Sequence, residues 1–488
     1  MKNRSKNVPT PAILTLGLVL LAGCNVNSQL EPPRPTSFAY VQTVNIGGSA
    51  TVSSIENQYQ GTVVSWQPEA GFAIVGSNLA PANTFKASSI TSAPAGINTA
   101  VFAIAEGTKA LAGGTKALAG GTKALAGGII NNFAEEAINW DTGWHGSTLA
   151  SGGLNASYQN LNAFVGNGFY MLPFIGGEKG GIKLASAQAL APKLGAGIKV
   201  AIIDTGVDLE HPGLKGLVGD AKYPAHLAPA SDWKDFVDGD VTPQEVGGDS
   251  ATGFGHGTGV AGIVLQIAPN AQIMPIRVLG PDGTGDVTNV VQGIEWAVNH
   301  GAKIINLSLG SSEPVEAVRK MIAWADSKGV FVVASAGNSN DTNVTYPAAD
   351  AQIDAYGGRR LISVGSVGSG NIVAQFLGFT DVIPTKLDLK SAFSTYGKVE
   401  MYAPGELIDT LAPNLRAAVW TGTSFATPMV SATLALALGE PLTKTQRARI
   451  KEAITTTATP IDTLNGLLTG QLGKGRLDAA AFMGKILN

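Results

Sequence analysis

Two hydrophobic patterns divide this chain. From about Gly181 onward, short apolar runs alternate with stretches whose apolar positions recur at a helical spacing. Such runs predict strands that are buried on both faces, and their alternation with helices predicts a parallel sheet with helices on both faces. The predicted strands are 198–203, 271–279, 303–309, 330–336 and 361–367, and the predicted helices include 287–300 and 314–328.

The preceding part of the chain has a different pattern. β-like runs at 38–44, 62–66 and 71–75 surround a possible helix at 52–58, which predicts a small α+β unit within residues 38–106. The heptad Gly-Thr-Lys-Ala-Leu-Ala-Gly then occurs three times between residues 107 and 127. Each copy has two glycines, which cost roughly 1 kcal/mol each in a helix, so residues 107–128 favour a flexible linker over a coiled coil. Residues 129–180 are expected to form a connecting segment.

The N-terminus has the features of an export signal. Lys2, Arg4 and Lys6 precede an apolar run at 12–22, which is shorter than the roughly 20 residues that a membrane-spanning helix needs. The run ends in Leu21-Ala22-Gly23-Cys24, which resembles the lipobox of bacterial lipoproteins and contains the only cysteine of the chain. We therefore predict a lipoprotein-type signal peptide at 1–23, lipidation of Cys24 and a tether at 24–37. An ordinary secretory signal followed by a chance cysteine is the alternative.

The composition narrows the classes of partner. The chain has 33 Lys and Arg against 36 Asp and Glu, and only 14% of its residues are charged. Nucleic acid is therefore not expected as a partner, because phosphate binding needs clustered basic residues. The hydrophobic content of 44% can fill a large core. We expect a monomer whose membrane contact is made through lipidated Cys24.

Four short motifs contain residues that could carry chemistry. A serine hydroxyl such as that of Ser424 needs a nearby base, for which His256 is a candidate, and a carboxylate such as Asp204 can hold that imidazole in one tautomer. Asn338 and the Ser424 N–H, at the start of an apolar helix, could stabilise an oxyanion. Each residue alone also has a structural interpretation, as a turn, a helix cap or a buried hydrogen-bonding group. The motifs span residues 202–208, 255–262, 334–338 and 422–428.

Together these motifs resemble those of the subtilisin-like serine peptidases. The order is Asp, His, Asn, Ser, and the resemblance covers about residues 181–485, including the closing segment 473–479. It implies a subtilisin-like catalytic domain at 181–488 and a serine endopeptidase that acts through an acyl-enzyme and is made as a zymogen. It further implies that a peptide substrate lies extended between two edges of the fold, formed by Ser308, Leu309, Gly310, Ala334, Ser335, Ala336 and Gly337.

The resemblance also places Thr345 at the floor of the main specificity pocket. Because no carboxylate is present there, we expect medium or large uncharged side chains to be preferred over Lys or Arg. The sequence departs from the family in two motifs. Gly259 stands where a second His is usual, and residues 428–432 differ from the usual sequence after the serine.

No cofactor is expected to be required. We expect the usual calcium loop after the catalytic His to be absent, because residues 262–266 lead directly into 267–269. Calcium is possible elsewhere, although the aspartates at 232–249 lack a recognisable ligand spacing and more simply form a solvated loop. No metal ligand set is assigned. Residues 370–390 resemble an insertion without recognisable chemistry. The aspartates concerned are Asp232, Asp235, Asp238, Asp240 and Asp249.

Residues 38–180 have two interpretations. They form either a propeptide that is removed, or a permanent domain. Removal of a propeptide would release the catalytic domain from a lipid anchor at Cys24, so the expected localisation is the cell envelope, with release as a secreted domain on activation. A peptide-binding lipoprotein, a structural or adhesive envelope protein and an esterase are the functional alternatives. Of these, only the esterase shares a need for Asp204, His256 and Ser424.

Overall fold

The computed structural model describes residues 38, 40–79, 102–104, 181–216, 225–248, 251, 253–368, 372–376, 379–383, 387–406, 408–414 and 416–488. Cys24, the tether, the heptad repeats, the segment 129–180 and Asp249 lie outside the described residues. Predictions about them remain predictions.

The N-terminal region is α+β, as the sequence pattern predicts. Its elements are β1 (Tyr40–Asn45), α1 (Val52–Tyr59), β2 (Thr62–Gln67) and β3 (Phe72–Ser77), with the antiparallel strand order β1-β3-β2. Thr51 starts α1 with a capping box, in which its hydroxyl accepts from the Ser54 N–H while the Ser54 side chain accepts from the Thr51 N–H. A short strand, β4 (Phe102–Ile104), follows.

A parallel sheet forms the centre of the molecule. Seven of the described strands join in the order β15-β12-β11-β9-β5-β7-β6, and every pairing is parallel. The predicted α/β class is thus confirmed. The strands are β5 (Lys199–Asp204), β6 (Lys234–Asp235), β7 (Gln272–Arg277), β9 (Ile304–Leu307), β11 (Phe331–Ser335), β12 (Leu361–Val367) and β15 (Met401–Pro404).

Helices cover both faces of this sheet. Along the sheet, the connection from β5 to β7 runs one way, whereas the connections from β7 to β9 and from β9 to β11 run the other way. Because crossovers between parallel strands are right-handed, the helices of these two groups lie on opposite faces. One face bears α4 (His256–Ile267), which packs against α7 (Thr423–Gly439), and both are almost wholly buried. The other face bears α5 (Val287–Asn299) and α6 (Glu316–Ser327), which pack against each other.

The remaining elements are short. The helices are α2 (Leu184–Leu190), α3 (Pro212–Lys215), α8 (Lys444–Ala448), α9 (Ile450–Thr456) and α10 (Ala479–Leu487). Two hairpins are formed by β13 (Ile372–Phe376) with β14 (Phe379–Ile383), inside the predicted insertion, and by β16 (Ile408–Ala412) with β17 (Arg416–Trp420). None of the helices in the described residues combines the length and the apolar character needed to cross a membrane.

One strand prediction was wrong. The run 303–309 does not form a single strand, because β9 ends at Leu307 and a separate strand, β10 (Leu309–Gly310), follows. β10 leaves the parallel sheet and pairs instead with β4, which also pairs with β8 (Thr284–Gly285). Hydrophobicity alone could not show this change of partner, because both strands are buried.

Candidate active site

Asp204 lies where a crevice is expected in a parallel sheet. It is the last residue of β5, whose neighbours are β7 and β9, so the strand order changes direction there. Ligand crevices in such sheets form at the carboxyl ends of the strands, at this kind of switch point. The Asp204 Oδ1 atom accepts a hydrogen bond from the Thr205 N–H at 2.8 Å.

His256 is the first residue of α4 and is paired with Asp204. The distance from His256 Nδ1 to Asp204 Oδ1 is 2.7 Å, and both side chains are fully buried. The approach is close because the next residue is glycine: a Cβ on Gly257 would lie 2.0 Å from the Gly206 carbonyl oxygen. The first turn of α4 therefore lies directly on the Asp204 turn.

Ser424 is the second residue of α7. Its Oγ donates to the Ser308 carbonyl oxygen at 3.2 Å, and the Ser308 hydroxyl donates to the Ser424 carbonyl oxygen at 2.6 Å. In this state the Ser424 hydroxyl is directed at Ser308. Among the described residues, His256 Nε2 has no hydrogen-bond partner.

Asn338 lies at the N-terminus of the same helix. Gly337 adopts φ +99°, which favours glycine, and the following Asn338 directs its Oδ1 to the Thr423 N–H at 2.8 Å. The first N–H groups of a helix have no partners within the helix and form the positive end of its dipole. The structure thus brings Asp204, His256, Asn338 and Ser424 to one end of the sheet.

Residues predicted to line the peptide groove lie on two sides of Thr345. A Cβ on Gly310 would be 2.6 Å from Thr345 Oγ1, and one on Gly337 would be 2.8 Å from Thr345 Cγ2. The Thr345 hydroxyl donates to the Ser335 carbonyl oxygen at 3.0 Å. Leu309 and Gly310, on one side, form β10, and Ala334 and Ser335, on the other, end β11. Thr345 therefore fills space between the two edges.

Comparison with known proteins agrees with this geometry. The profile of the subtilase family matches residues 195–478. The chain belongs to the subtilase family. Thermitase from Thermoactinomyces vulgaris is 35% identical over 61% of this chain and 92% of its own length, and Subtilisin BL from Lederbergia lenta is 32% identical over 56% and 87%. A solved structure of a cold adapted subtilisin-like serine proteinase covers 55% of this chain and 84% of its own, with 28% identity and a TM-score of 0.42. The protein is a subtilisin-like serine endopeptidase.

An aromatic stack explains one departure of this subtilase from the family motif. A Cβ on Gly259 would lie 3.2 Å from the Trp420 ring and 3.3 Å from Phe425. Trp420 stacks on Phe425 with ring centroids 5.1 Å apart, and Phe425 meets the His256 ring edge-on at 5.3 Å. A histidine at position 259 would overlap this stack. Sequence reasoning missed the role of both aromatic residues, because Trp420 lies outside the four motifs and Phe425, although it follows Ser424, has no polar group.

Three of the aspartates considered for calcium have other partners in this subtilase. Arg277 contacts both Asp235 and Asp238, and Asp232 pairs with Lys199 at 2.6 Å. A guanidinium already neutralises Asp235 and Asp238, so these carboxylates do not fit a calcium ion. In the described ranges, no group of three or more His, Cys, Asp or Glu residues is arranged to hold a metal ion.

A second carboxyl group lies beside Asp204. Glu245 is buried, and its Oε1 is 2.6 Å from Thr205 Oγ1 while its Oε2 is 2.8 Å from Thr258 Oγ1. Burial raises the pKa of Glu245 to about 8, against the lowering effect of hydrogen bonds from Thr205 and Thr258. Nearby Asp204 contributes to the increase. Thr205 could have been noticed within the Asp204 motif, whereas no spacing signal pointed to Glu245.

Proposed function

We propose that this subtilase hydrolyses peptide bonds through an acyl-enzyme on Ser424. Ser424 Oγ attacks the scissile carbonyl carbon while His256 Nε2 takes the hydroxyl proton, and the imidazolium then gives this proton to the leaving amine. A water molecule then attacks the acyl carbon while His256 takes one of its protons. His256 gives this proton to Ser424 Oγ as the acid product leaves. Asp204 holds the Nδ1–H and stabilises the imidazolium between these transfers.

The oxyanion is assigned to the start of α7. The Ser424 N–H lies in the first turn of this helix, and the Nδ2 group of Asn338 is the second donor that we assign. Because the Asn338 amide is planar and its oxygen contacts the Thr423 N–H, its orientation is set before substrate binds. Fixed donors of this kind need no reorganisation when charge develops.

The buried Asp204–His256 contact of 2.7 Å is the observation that supports this proposal most strongly. Burying a carboxylate and an imidazole without solvent is unfavourable unless each satisfies the other, and the contact fixes the Nδ1–H tautomer that a catalytic base requires. We propose that rotation about the Cα–Cβ bond of Ser424 turns its Oγ from the Ser308 carbonyl oxygen toward His256 Nε2 when substrate binds.

The test uses a fluorescent fluorophosphonate probe and casein. We expect wild type to be labelled at Ser424 and to digest casein, and Ser424→Ala to do neither. Ser431→Ala is the matched control, since Ser431 lies on the same helix and its hydroxyl donates to Asn306 Oδ1 at 2.8 Å. Labelling without casein cleavage would favour an esterase, and the absence of both in wild type would favour a peptide-binding protein.

We propose that the chain is made as a zymogen whose N-terminal region covers the site. β4 lies between β10 and β8 and pairs with both, as an extended substrate would. The Ser424 and His256 side chains are fully buried, whereas a working peptidase must expose its nucleophile. Intact-protein mass spectrometry should show wild type losing an N-terminal fragment that ends shortly after Ile104, and Ser424→Ala keeping it.

The contacts of Thr345 sharpen the proposed specificity. Its side chain occupies space between the edges at Gly310 and Gly337, and it has no charge to pair with Lys or Arg. We therefore propose a preference for small to medium uncharged side chains, which departs from the sequence-based expectation of medium or large ones. Cleavage of a peptide library mainly after Lys, Arg or large aromatic residues would contradict it.

Export and lipid anchoring belong to the same proposal. The charged and apolar pattern before Cys24 supports export. A lipid on Cys24 would hold the precursor at the membrane until the N-terminal region is cleaved, and the enzyme would act as a monomer on protein or peptide substrates. Cys24→Ala should move the precursor from the detergent phase to the aqueous phase in a partition assay.

A further inference from the structure

Glu245 is a buried carboxyl group that the proposed mechanism does not use. It lies just beyond the Asp204 turn, and its backbone N–H donates to the Val207 carbonyl oxygen at 2.9 Å. Two threonines and the Gly255 N–H supply its hydrogen bonds. Each contact leads to the catalytic pair: Thr205 follows Asp204, while Gly255 and Thr258 flank His256 in sequence.

The charges around Glu245 leave it without a cation. Asp204 is the ionisable neighbour that acts on Glu245, and the backbone N–H of Asp208 donates to Thr258 Oγ1 at 2.8 Å. On the neighbouring strand β7, Arg277 directs its guanidinium at Asp235 and Asp238. Within the described part of the chain, no Lys or Arg pairs with Glu245. Burial beside a second carboxyl group therefore favours a proton on Glu245, because its charge would lack compensation.

The hydroxyl of Thr205 connects the two carboxyl groups. Thr205 Oγ1 accepts from the Gly257 N–H at 3.0 Å and lies 2.6 Å from Glu245 Oε1 and 3.3 Å from Asp204 Oδ1. A hydroxyl has one proton to donate and two lone pairs to accept with. If Glu245 is ionised, the Thr205 hydroxyl donates its proton to Glu245 Oε1, which is nearer than Asp204 Oδ1. If Glu245 carries a proton on Oε1, it donates to Thr205 Oγ1 and leaves the hydroxyl proton for Asp204.

The other Glu245 oxygen is fixed as an acceptor. Thr258 Oγ1 accepts from the Asp208 N–H, so its own proton is available for Glu245 Oε2 at 2.8 Å. The Thr258 N–H approaches the same oxygen at 3.3 Å. The proton of a neutral Glu245 is therefore expected on Oε1, which faces Thr205.

We propose that Glu245 is a positioning residue that acts through Thr205. While Glu245 is protonated, the Thr205 hydroxyl donates to Asp204 and helps to hold the Asp204–His256 pair, and when Glu245 loses its proton this hydrogen bond is lost. The inference rests on the proposed function. It predicts an alkaline fall in kcat/KM near the pKa of Glu245, of roughly tenfold, the size of one net hydrogen bond.

The test measures kcat/KM between about pH 6 and 10 on a fluorogenic peptide, with enzyme purified from the full-length chain. Glu245→Gln imitates the protonated form, so we expect it to stay active and to lose the alkaline fall. Thr205→Ser keeps the hydroxyl and should keep the fall. In a Thr205→Val background, Glu245→Gln should no longer change the shape of the profile.

The matched control is Glu440→Gln, because Glu440 is also buried and accepts a hydrogen bond from the Lys193 N–H at the far end of α7. It should retain the wild-type profile. Burial also lowers the pKa of Lys390 to about 8, so the midpoint alone does not assign the group, but the Glu245 variant does. An unchanged alkaline fall in Glu245→Gln, even with an altered melting temperature, would overturn the proposal and leave the enzyme activity standing. An inactive wild type would overturn both.

Discussion

The N-terminal sheet and the parallel sheet are both hydrophobic on two faces, but these faces are covered in different ways. The parallel sheet is covered by helices of its own region, including α4 and α7. Among the described elements, the three-stranded sheet has only α1 on one face, where a small core forms. Its other face joins the large core of the catalytic region. The small core consists of Val44, Ile55, Val63, Ala73 and Val75.

This difference shows why the N-terminal region depends on its docking site. In β3, Ala73 and Val75 face the small core, while the alternate residues Phe72 and Ile74 are buried against the large one. A five-residue core is too small to stabilise a domain of this size without help. The catalytic region supplies the missing surface, as would suit the removable N-terminal region proposed above.

The largest effect is expected on the catalytic step, which does not depend on how the N-terminal region docks. Asn338→Ala should lower kcat by about 10² to 10³, because one oxyanion donor is lost, and should leave KM nearly unchanged. Steady-state kinetics on a peptide substrate checks this, with Asn340→Ala as a control from the exposed part of the same loop. A loss confined to KM would place Asn338 in substrate binding instead.

A core mutation should loosen the N-terminal region alone. Ile74 is fully buried against the catalytic region, so Ile74→Ala should weaken docking by about 2 to 4 kcal/mol. In the uncleaved Ser424→Ala chain, limited proteolysis should then remove the N-terminal region faster, while the main thermal transition stays in place. Val75→Ala, on the opposite face, is the comparison. A common shift of the whole melting curve would mean that the two regions unfold together.

The predicted peptide groove between the two edges of the catalytic region offers a third test. Thr345→Gly removes the side chain between Gly310 and Gly337 and should raise kcat/KM for large uncharged residues by roughly 10- to 100-fold relative to alanine. Peptides that differ only at the residue before the scissile bond measure this ratio. Thr342→Gly, outside these contacts, should leave it unchanged.

The smallest effect is expected at the rim of the docking site. Lys328 pairs with Glu69 of the N-terminal region, and the two side chains are 36% and 64% exposed. Lys328→Ala should therefore change docking by less than about 1 kcal/mol, and the change should vanish at high salt. Rates of limited proteolysis at two ionic strengths provide the measurement. An effect as large as that of Ile74→Ala would refute the assignment of docking to the apolar face.

Much of the fold followed from local patterns. The predicted strand 361–367 is reproduced without change, and the predicted helix 287–300 differs from α5 by one residue. Strands such as Met401–Pro404 and the hairpin of β16 with β17 were missed, because they are short and have no distinctive period. Asp204, His256, Asn338 and Ser424 were identifiable because each lies in a glycine-rich motif that must make a close turn.

The sequence by itself determined the class of fold, the family and the side chains that can do the chemistry, since these depend on hydrophobic period and on residue types within short motifs. Only the tertiary structure decided which groups share a buried space. Glu245 is 41 residues from Asp204 in the chain, yet both contact the Thr205 hydroxyl. Likewise, β4 pairs with β10 although about two hundred residues separate them. Such contacts arise from the packing of distant segments, which no local pattern encodes.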